Sequence, residues 1–190
     1  MEEDYKTDRG PPPPYPTPMT PTPRPPPSGI RIPLQLNSRI PDLRSTRAPP
    51  CYDGDGVSPV FIGSAIFQSS VHPCKIAPHL PFPCRVPYAG TEVEHQGRYD
   101  LLPFDPDAME WVCTSLGRIP QGRYPVAGGY EEDGTNLYHA RARVGQTWVP
   151  GKTGEHLGGC NVAYGGQEHV VSTSYEILCW RSATHLGKDK

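Results

Sequence analysis

Residues 39–102 and 118–178 carry the same punctuation in the same order. The first copy reads Arg39-Ile40-Pro41, Tyr52-Asp53-Gly54-Asp55-Gly56, Val60-Phe61-Ile62-Gly63-Ser64-Ala65 and Pro73-Cys74-Lys75. It continues with Cys84, Pro87-Tyr88-Ala89-Gly90-Thr91-Glu92 and Tyr99-Asp100-Leu101-Leu102. The second copy reads Arg118-Ile119-Pro120, Tyr130-Glu131-Glu132-Asp133-Gly134, Leu137-Tyr138-His139-Ala140-Arg141-Ala142 and Pro150-Gly151-Lys152. It continues with Cys160, Ala163-Tyr164-Gly165-Gly166-Gln167-Glu168 and Tyr175-Glu176-Ile177-Leu178. The offset is 76 from Cys84/Cys160 through Tyr99/Tyr175, 77 at Lys75/Lys152 and 78 at Asp55/Asp133. Offsets that change only between matched blocks are what loop-length differences produce. A tandem repeat decides the architecture, because a unit of roughly 75 residues has little core of its own and must bury a face against its copy.

The repeated segments read as strands. They are short, β-branched or aromatic, and bounded by Gly, Pro and Asp. Asn136-Leu137-Tyr138-His139-Ala140-Arg141-Ala142-Arg143 alternates apolar and polar residues along most of its length, the period of a half-buried strand. Asp53-Gly54-Asp55-Gly56 and Glu132-Asp133-Gly134 are hairpin-turn signals just before such strands. The one helical turn expected is Asp105-Pro106-Asp107-Ala108-Met109-Glu110, in an insertion that the second copy lacks. The reading is an all-β fold of two pseudo-symmetric repeats packed as a compact β-sandwich-like domain. Its boundaries are a tail over 1–28, repeats over 29–105 and 106–182, and a C-terminal tail over 183–190.

The tail holds eleven prolines between positions 11 and 27. Proline lacks the amide proton that helices and sheet ladders need, so a disordered segment leaning to polyproline II is expected. Pro12-Pro13-Pro14-Tyr15 matches the pattern that WW domains read, and Arg24-Pro25-Pro26-Pro27 loosely resembles an SH3 ligand. A solvated spacer is the plainer reading of both.

Composition narrows the function classes. A net charge of -2 and a pI near 6.4 give no electrostatic footprint for nucleic acid or an anionic membrane. Mean hydropathy is -0.56, and no apolar run approaches the ~20 residues of a spanning helix. Met1-Glu2-Glu3-Asp4-Tyr5-Lys6 is acidic and polar, unlike a secretory signal. The expectation is a cytoplasmic protein, or one released without a signal, whose six cysteines are thiols. They form no CxxC pair. His72-Pro73-Cys74 with Cys84 could be half a zinc site, but the spacing fits no standard ligand pattern, and no metal or cofactor is expected.

The blocks Val126-Ala127-Gly128-Gly129-Tyr130, Leu137-Tyr138-His139-Ala140-Arg141-Ala142, Val149-Pro150-Gly151-Lys152 and Tyr164-Gly165-Gly166-Gln167-Glu168-His169 resemble the DM-nine repeat family. That family is found in invertebrate mannose-binding lectins and in the lectin part of natterin-like toxins. The resemblance covers about residues 30–182. The first copy is degenerate: Ser64 stands where Arg141 stands in the second, Cys74 replaces the glycine before the lysine, and Ala89 replaces the first glycine of the Tyr-Gly-Gly block. The resemblance implies carbohydrate binding, mannose in particular, through an acid and a lysine in each repeat. The acid–lysine positions fall on Glu131 with Lys152, and on Asp53 with Lys75. Glu131 departs from the family's aspartate by one methylene. A homodimer also enters by family analogy alone.

The residue types suit the chemistry. A carboxylate accepts from two neighbouring sugar hydroxyls and an ammonium donates to their lone pairs, both as charge-assisted bonds. Tyr130, Tyr138 and Trp148 lie near in sequence and could cover a ring face. The bland alternative is a surface ion pair of little worth. Glu92 and Glu168, each beside a glycine turn, could bond backbone amides instead of a ligand. Tyr88/Tyr164 and Tyr99/Tyr175 read as core more readily than as site, and Trp111 and Trp180 as core closures. No GxSxG elbow, HExxH or phosphate-binding glycine loop is present, so no enzyme is expected. The closest catalytic pattern, Cys160 with His169, has Val93 in place of the histidine in the first copy. A second function class stays open: a non-enzymatic scaffold whose Pro-rich tail binds WW or SH3 domains.

Overall fold

The computed structural model describes residues 27–42, 45 and 47–181. The tail motif Pro12-Pro13-Pro14-Tyr15 and the segment 183–190 lie outside the described residues.

The first copy supplies β1 (Ile32–Leu34), β2 (Cys51–Tyr52), β3 (Pro59–Ile66), β4 (Val71–Ile76), β5 (Cys84–Tyr88), β6 (Thr91–Glu94) and β7 (Tyr99–Leu102). The second supplies β8 (Met109–Thr114), β9 (Tyr124–Pro125), β10 (Ala127–Tyr130), β11 (Asn136–Val144), β12 (Thr147–Gly154), β13 (Gly159–Tyr164), β14 (Gln167–Val171) and β15 (Tyr175–Trp180). A short 3-10 helix covers Glu155–Leu157. The fold is all-β.

Strand order exposes the internal symmetry. The sheet runs β1-β7-β3-β4-β5-β6-β14-β13-β12-β11-β15-β8. Read from either end, the order meets equivalent strands of the two copies. The two halves join at the bridge between Thr91 and Gln167. These are equivalent positions, so the pseudo-twofold axis passes between them. Two further backbone bonds flank it, Glu92 N–H to Gly166 O at 3.3 Å and Glu168 N–H to Gly90 O at 3.2 Å. A second link, Tyr130 to Val71, ties β10 to β4. The path therefore closes through β4, β5, β6, β14, β13, β12, β11 and β10, and the sheet is barrel-like.

That second link depends on Gly129. Its φ is +153°, and a Cβ placed there would land on the Val71 carbonyl oxygen. The equivalent position in β2 is Cys51, whose side chain is buried beside Val60 and Ala77. Among the described residues β2 pairs only with β3.

Each copy has its own core. Phe61, Ile76, Val86, Tyr99 and Leu101 pack in the first. Ala140, Val149, Cys160, Val162 and Tyr175 pack in the second. A third cluster joins the copies: Ile62 and Leu102 meet Met109, Val126 and Leu178. Trp111 and Trp180 pack against it as partly buried closures. Tyr99 and Tyr175 are fully buried, as their matched positions suggested. All six cysteines are free, and five are buried. Cys74 and Cys84 sit with sulfurs 3.5 Å apart.

The helical turn expected at residue 105 is there as a single turn. Met109 N–H bonds Asp105 O at 2.7 Å. Met109 then begins β8, which pairs along β15 through to Thr114. Ladder bonds and the burial of Met109 and Trp111 in the joint core outweigh the local Asp-Pro helix-start signal.

Arg31 pins the N-terminal strand to the other copy. Its guanidinium donates to Ser64 Oγ at 2.8 Å, Ala127 O at 2.8 Å and His139 Nε2 at 2.9 Å. A guanidinium only donates, so His139 accepts at Nε2 and is neutral. Burial, then the Arg31 charge, hold the His139 pKa well below its usual 6.5. The unfolded chain therefore binds a proton that the folded chain refuses. This stabilising contribution is complete above about pH 6.5 and is lost as pH falls toward the folded value. The urea midpoint should drop between about pH 7 and pH 5, with this histidine contributing at most about 1.4 kcal/mol per pH unit. In His139→Gln that slope should flatten; an unchanged slope would remove His139 as its source.

Candidate functional site

The two acids sit in equivalent hairpin turns. Asp53 N–H bonds Ser58 O at 2.9 Å and Gly56 N–H bonds Asp53 O at 2.8 Å. Glu131 N–H bonds Thr135 O and Gly134 N–H bonds Glu131 O, both at 2.9 Å. Each turn is held by its own aspartate. Asp55 accepts from Val57 N–H at 2.9 Å and Ser58 N–H at 2.8 Å. Asp133 accepts from Thr135 N–H at 2.8 Å. Bonds from Ser58 bring the Asp55 pKa down to about 2.

Lys75 lies in β4 with its side chain only 4% exposed. Its Nζ is 3.0 Å from Glu92 Oε1 and donates to Ala163 O at 2.8 Å. It stands 5.4 Å from the centroid of the Tyr164 ring. Both Ala163 and Tyr164 belong to the second copy. Asp53 Oδ2 is 2.9 Å from His79 Nε2, and its Oδ1 accepts from Gly54 N–H at 2.8 Å. Asp53 and Lys75 line one pocket of about 360 Å³ with Arg85, Glu92 and Tyr164.

The mirror arrangement surrounds Lys152 in β12. Its Nζ is 5.5 Å from the Tyr88 ring, again a tyrosine of the other copy. It is 3.7 Å from Glu131 Oε1 and 3.2 Å from His72 Nδ1. An ammonium only donates, so His72 accepts at Nδ1 and carries its proton on Nε2. Nε2–H points at Ser70 Oγ, 3.0 Å away. The Ser70 hydroxyl donates to Glu132 Oε1 at 3.1 Å, and the Tyr88 hydroxyl donates to the same oxygen at 2.9 Å. Burial first and Lys152 second lower the His72 pKa. Bonding to Glu132 raises that of Tyr88. His72, Glu131 and Glu132 bring ligand-type atoms within 4.8 Å of one another. The Lys152 ammonium already supplies positive charge there, which disfavours a cation as third party.

Glu92 and Glu168 staple the copies together. Glu92 Oε2 accepts from Gly166 N–H at 2.8 Å, and Glu168 Oε2 accepts from Gly90 N–H at 2.7 Å. Backbone amides are thus their partners, as the glycine turns beside them suggested. Glu92 also holds Lys75, whereas Glu168 takes Asn161 Nδ2 at 2.8 Å instead.

Both acid–lysine sets are therefore brought near each other, but differently. Glu131 touches Lys152 directly, while Asp53 and Lys75 face a common pocket with other partners. Tyr88 and Tyr164 are half-buried, packed against the core of their own copy and over the lysine of the other. Trp148 lines a groove with Tyr52 and Asp53, its ring 4.7 and 4.9 Å from the Arg141 and Arg143 guanidiniums. His169 Nε2 is 3.0 Å from Tyr164 O, and Cys160 is buried with its pKa driven up by desolvation, so the closest catalytic pattern forms no nucleophile. Two histidines that the sequence motifs did not single out, His79 and His156, join the acids. His79 and His156 each stand four residues beyond the repeat lysine and each contact the repeat acid, at 2.9 Å and 3.4 Å. That shared spacing was the available signal.

Among solved structures the chain resembles the nematode sperm cell motility protein MFP2B, with a TM-score of 0.58 and 14% identity. The likeness covers 80% of this chain and 47% of that one, so this chain spans about half its length. At this identity the likeness concerns the fold alone. None of the curated proteins matches the sequence. Residues 53–171 match the DM9 repeat, the DM-nine unit named above from its motifs. With paired acids, lysines and crossed tyrosines on a twofold β-repeat, the chain belongs to the DM9 repeat family.

Proposed function

We propose that this protein is a non-enzymatic carbohydrate-binding module that takes mannose-type glycans in the pocket between Asp53 and Lys75. The observation that carries this reading is the convergence of a carboxylate, an ammonium and an aromatic ring on one solvent-open pocket. Lys75 uses two of its three donors on Glu92 and Ala163, which leaves one for a hydroxyl. Each Asp53 oxygen has one protein partner and can accept another bond. A vicinal diol meets both demands. Few polar contacts on an open surface support weak binding, roughly millimolar to high micromolar.

Calorimetric titration with mannose tests this. Saturable binding should weaken at least about tenfold in Asp53→Asn, which keeps shape and removes charge. Glu131→Gln reports on the second set, where the acid is already engaged by Lys152 and His156. Absence of saturable binding to mannose and to a glycan panel would sink the proposal.

A further inference from the structure

The pocket beside Lys75 does not end at Asp53. Asp53 also lines an adjoining groove of about 470 Å³, with Tyr52, Gly54, Thr147 and Trp148. Both spaces fall within the roughly 300–1,000 Å³ typical of ligand clefts. Gly54 stands at the junction. A Cβ there would lie 2.7 Å from the Tyr164 hydroxyl and 3.6 Å from Thr147 Oγ1. Any larger residue there would have to displace the Tyr164 hydroxyl.

The other copy contains that larger residue. By the repeat offsets, Gly54, Thr147 and Tyr164 correspond to Glu132, Ser70 and Tyr88. Glu132 accepts from both hydroxyls, at 3.1 Å from Ser70 and 2.9 Å from Tyr88, and ties them together. At the Gly54 junction no carboxylate intervenes. Among the described residues neither the Tyr164 nor the Thr147 hydroxyl has a protein hydrogen-bond partner. The two concave spaces share Asp53 in their walls, and the two unpartnered hydroxyls lie beside Gly54 at that shared edge. The exposed Tyr52 ring, 50% accessible, offers an apolar face in the adjoining groove, whereas the Trp148 ring carries the Arg141 and Arg143 guanidiniums, 4.7 and 4.9 Å from its centroid.

Resting on the carbohydrate reading above, we infer that the Asp53 site is an extended one. It holds a linear oligosaccharide of at least two hexoses, the second lying beyond Asp53 in the adjoining groove against Tyr52. The Glu131 side of the molecule has no such second subsite. A sugar ring presents an apolar face to an aromatic side chain and hydroxyls to the Tyr164 and Thr147 oxygens, so each feature of the junction has a counterpart in the ligand.

The test compares mannose with mannobioses of the different α linkages on the intact chain, by calorimetry. At least one disaccharide should bind about five- to tenfold more tightly than mannose, above the statistical factor of about two. Tyr52→Ala should erase that excess and leave mannose affinity unchanged. Gly54→Gln, which sets a side chain against the Tyr164 hydroxyl, should also erase the excess, with its urea midpoint checked to exclude misfolding. Disaccharides no tighter than mannose would overturn the extended site while leaving the lectin reading intact. An excess that survives Tyr52→Ala would overturn its location. Failure of every sugar, mannose included, would instead bring down the reading on which the inference rests.

Discussion

Lys75→Ala should lower the free energy of unfolding by about 3–5 kcal/mol, the usual result of stranding one member of a buried ion pair. Lys75 and Glu92 are 4% and 7% exposed and 3.0 Å apart. Without the ammonium, the Glu92 carboxylate retains only the Gly166 amide among the partners described above. The Ala163 carbonyl also loses its donor. The double variant Lys75→Met with Glu92→Gln removes both charges and should recover most of the loss, because the cost lies in the unpaired charge more than in the missing attraction. Lys152→Ala should cost less. Its partner Glu131 is 18% exposed and keeps His156 at 3.4 Å. Urea denaturation of the three variants checks the ranking. A loss below about 1 kcal/mol in Lys75→Ala would show the pair to be solvated. A practical point follows: loss of sugar binding in Lys75→Ala could be loss of structure, so Asp53→Asn is the cleaner probe.

Gly129→Ala should be at least as damaging, about 3–5 kcal/mol, from two sources acting together. A φ of +153° belongs to the region that only glycine occupies freely. The added methyl would also meet the Val71 carbonyl, a backbone atom that cannot step aside without breaking the bridge from Tyr130 to Val71. Because that bridge closes the barrel-like path, amide exchange in β10 and β4 should accelerate more than in β13. Uniform acceleration would mean that closure is not local to Gly129.

Much of the fold was legible because strands announce themselves by period and by turn residues. The alternation of Asn136–Arg143 became β11, and the two Asp-Gly turns became the hairpins that carry the acids. Even the degenerate first copy kept its backbone. Ala89 adopts φ 50° where Gly165 adopts φ 61°. The site was legible only within each copy. Counting from the lysines located Asp53 and Glu131, but no spacing along the chain says that Tyr164 covers Lys75 and Tyr88 covers Lys152. That pairing is set by the register of β6 against β14, a tertiary contact between surfaces far apart in sequence. The same register decides where Trp148 lies. The turn at residue 105 stops after one turn for a related reason, since from Met109 on the chain pairs with β15.

The crossed tyrosines bear on how such a molecule can change over generations. The repeated unit is a single repeat, but the proposed site straddles both copies. A substitution at Tyr164 is inherited as a change in the second copy and expressed as a change at the first copy's lysine. Neither half can drift privately, because each supplies the other's ring and, through Glu92 and Glu168, the other's turn. Divergence is open only at positions that serve one side alone. Gly54 and Glu132 are such a pair, and there the two copies have parted.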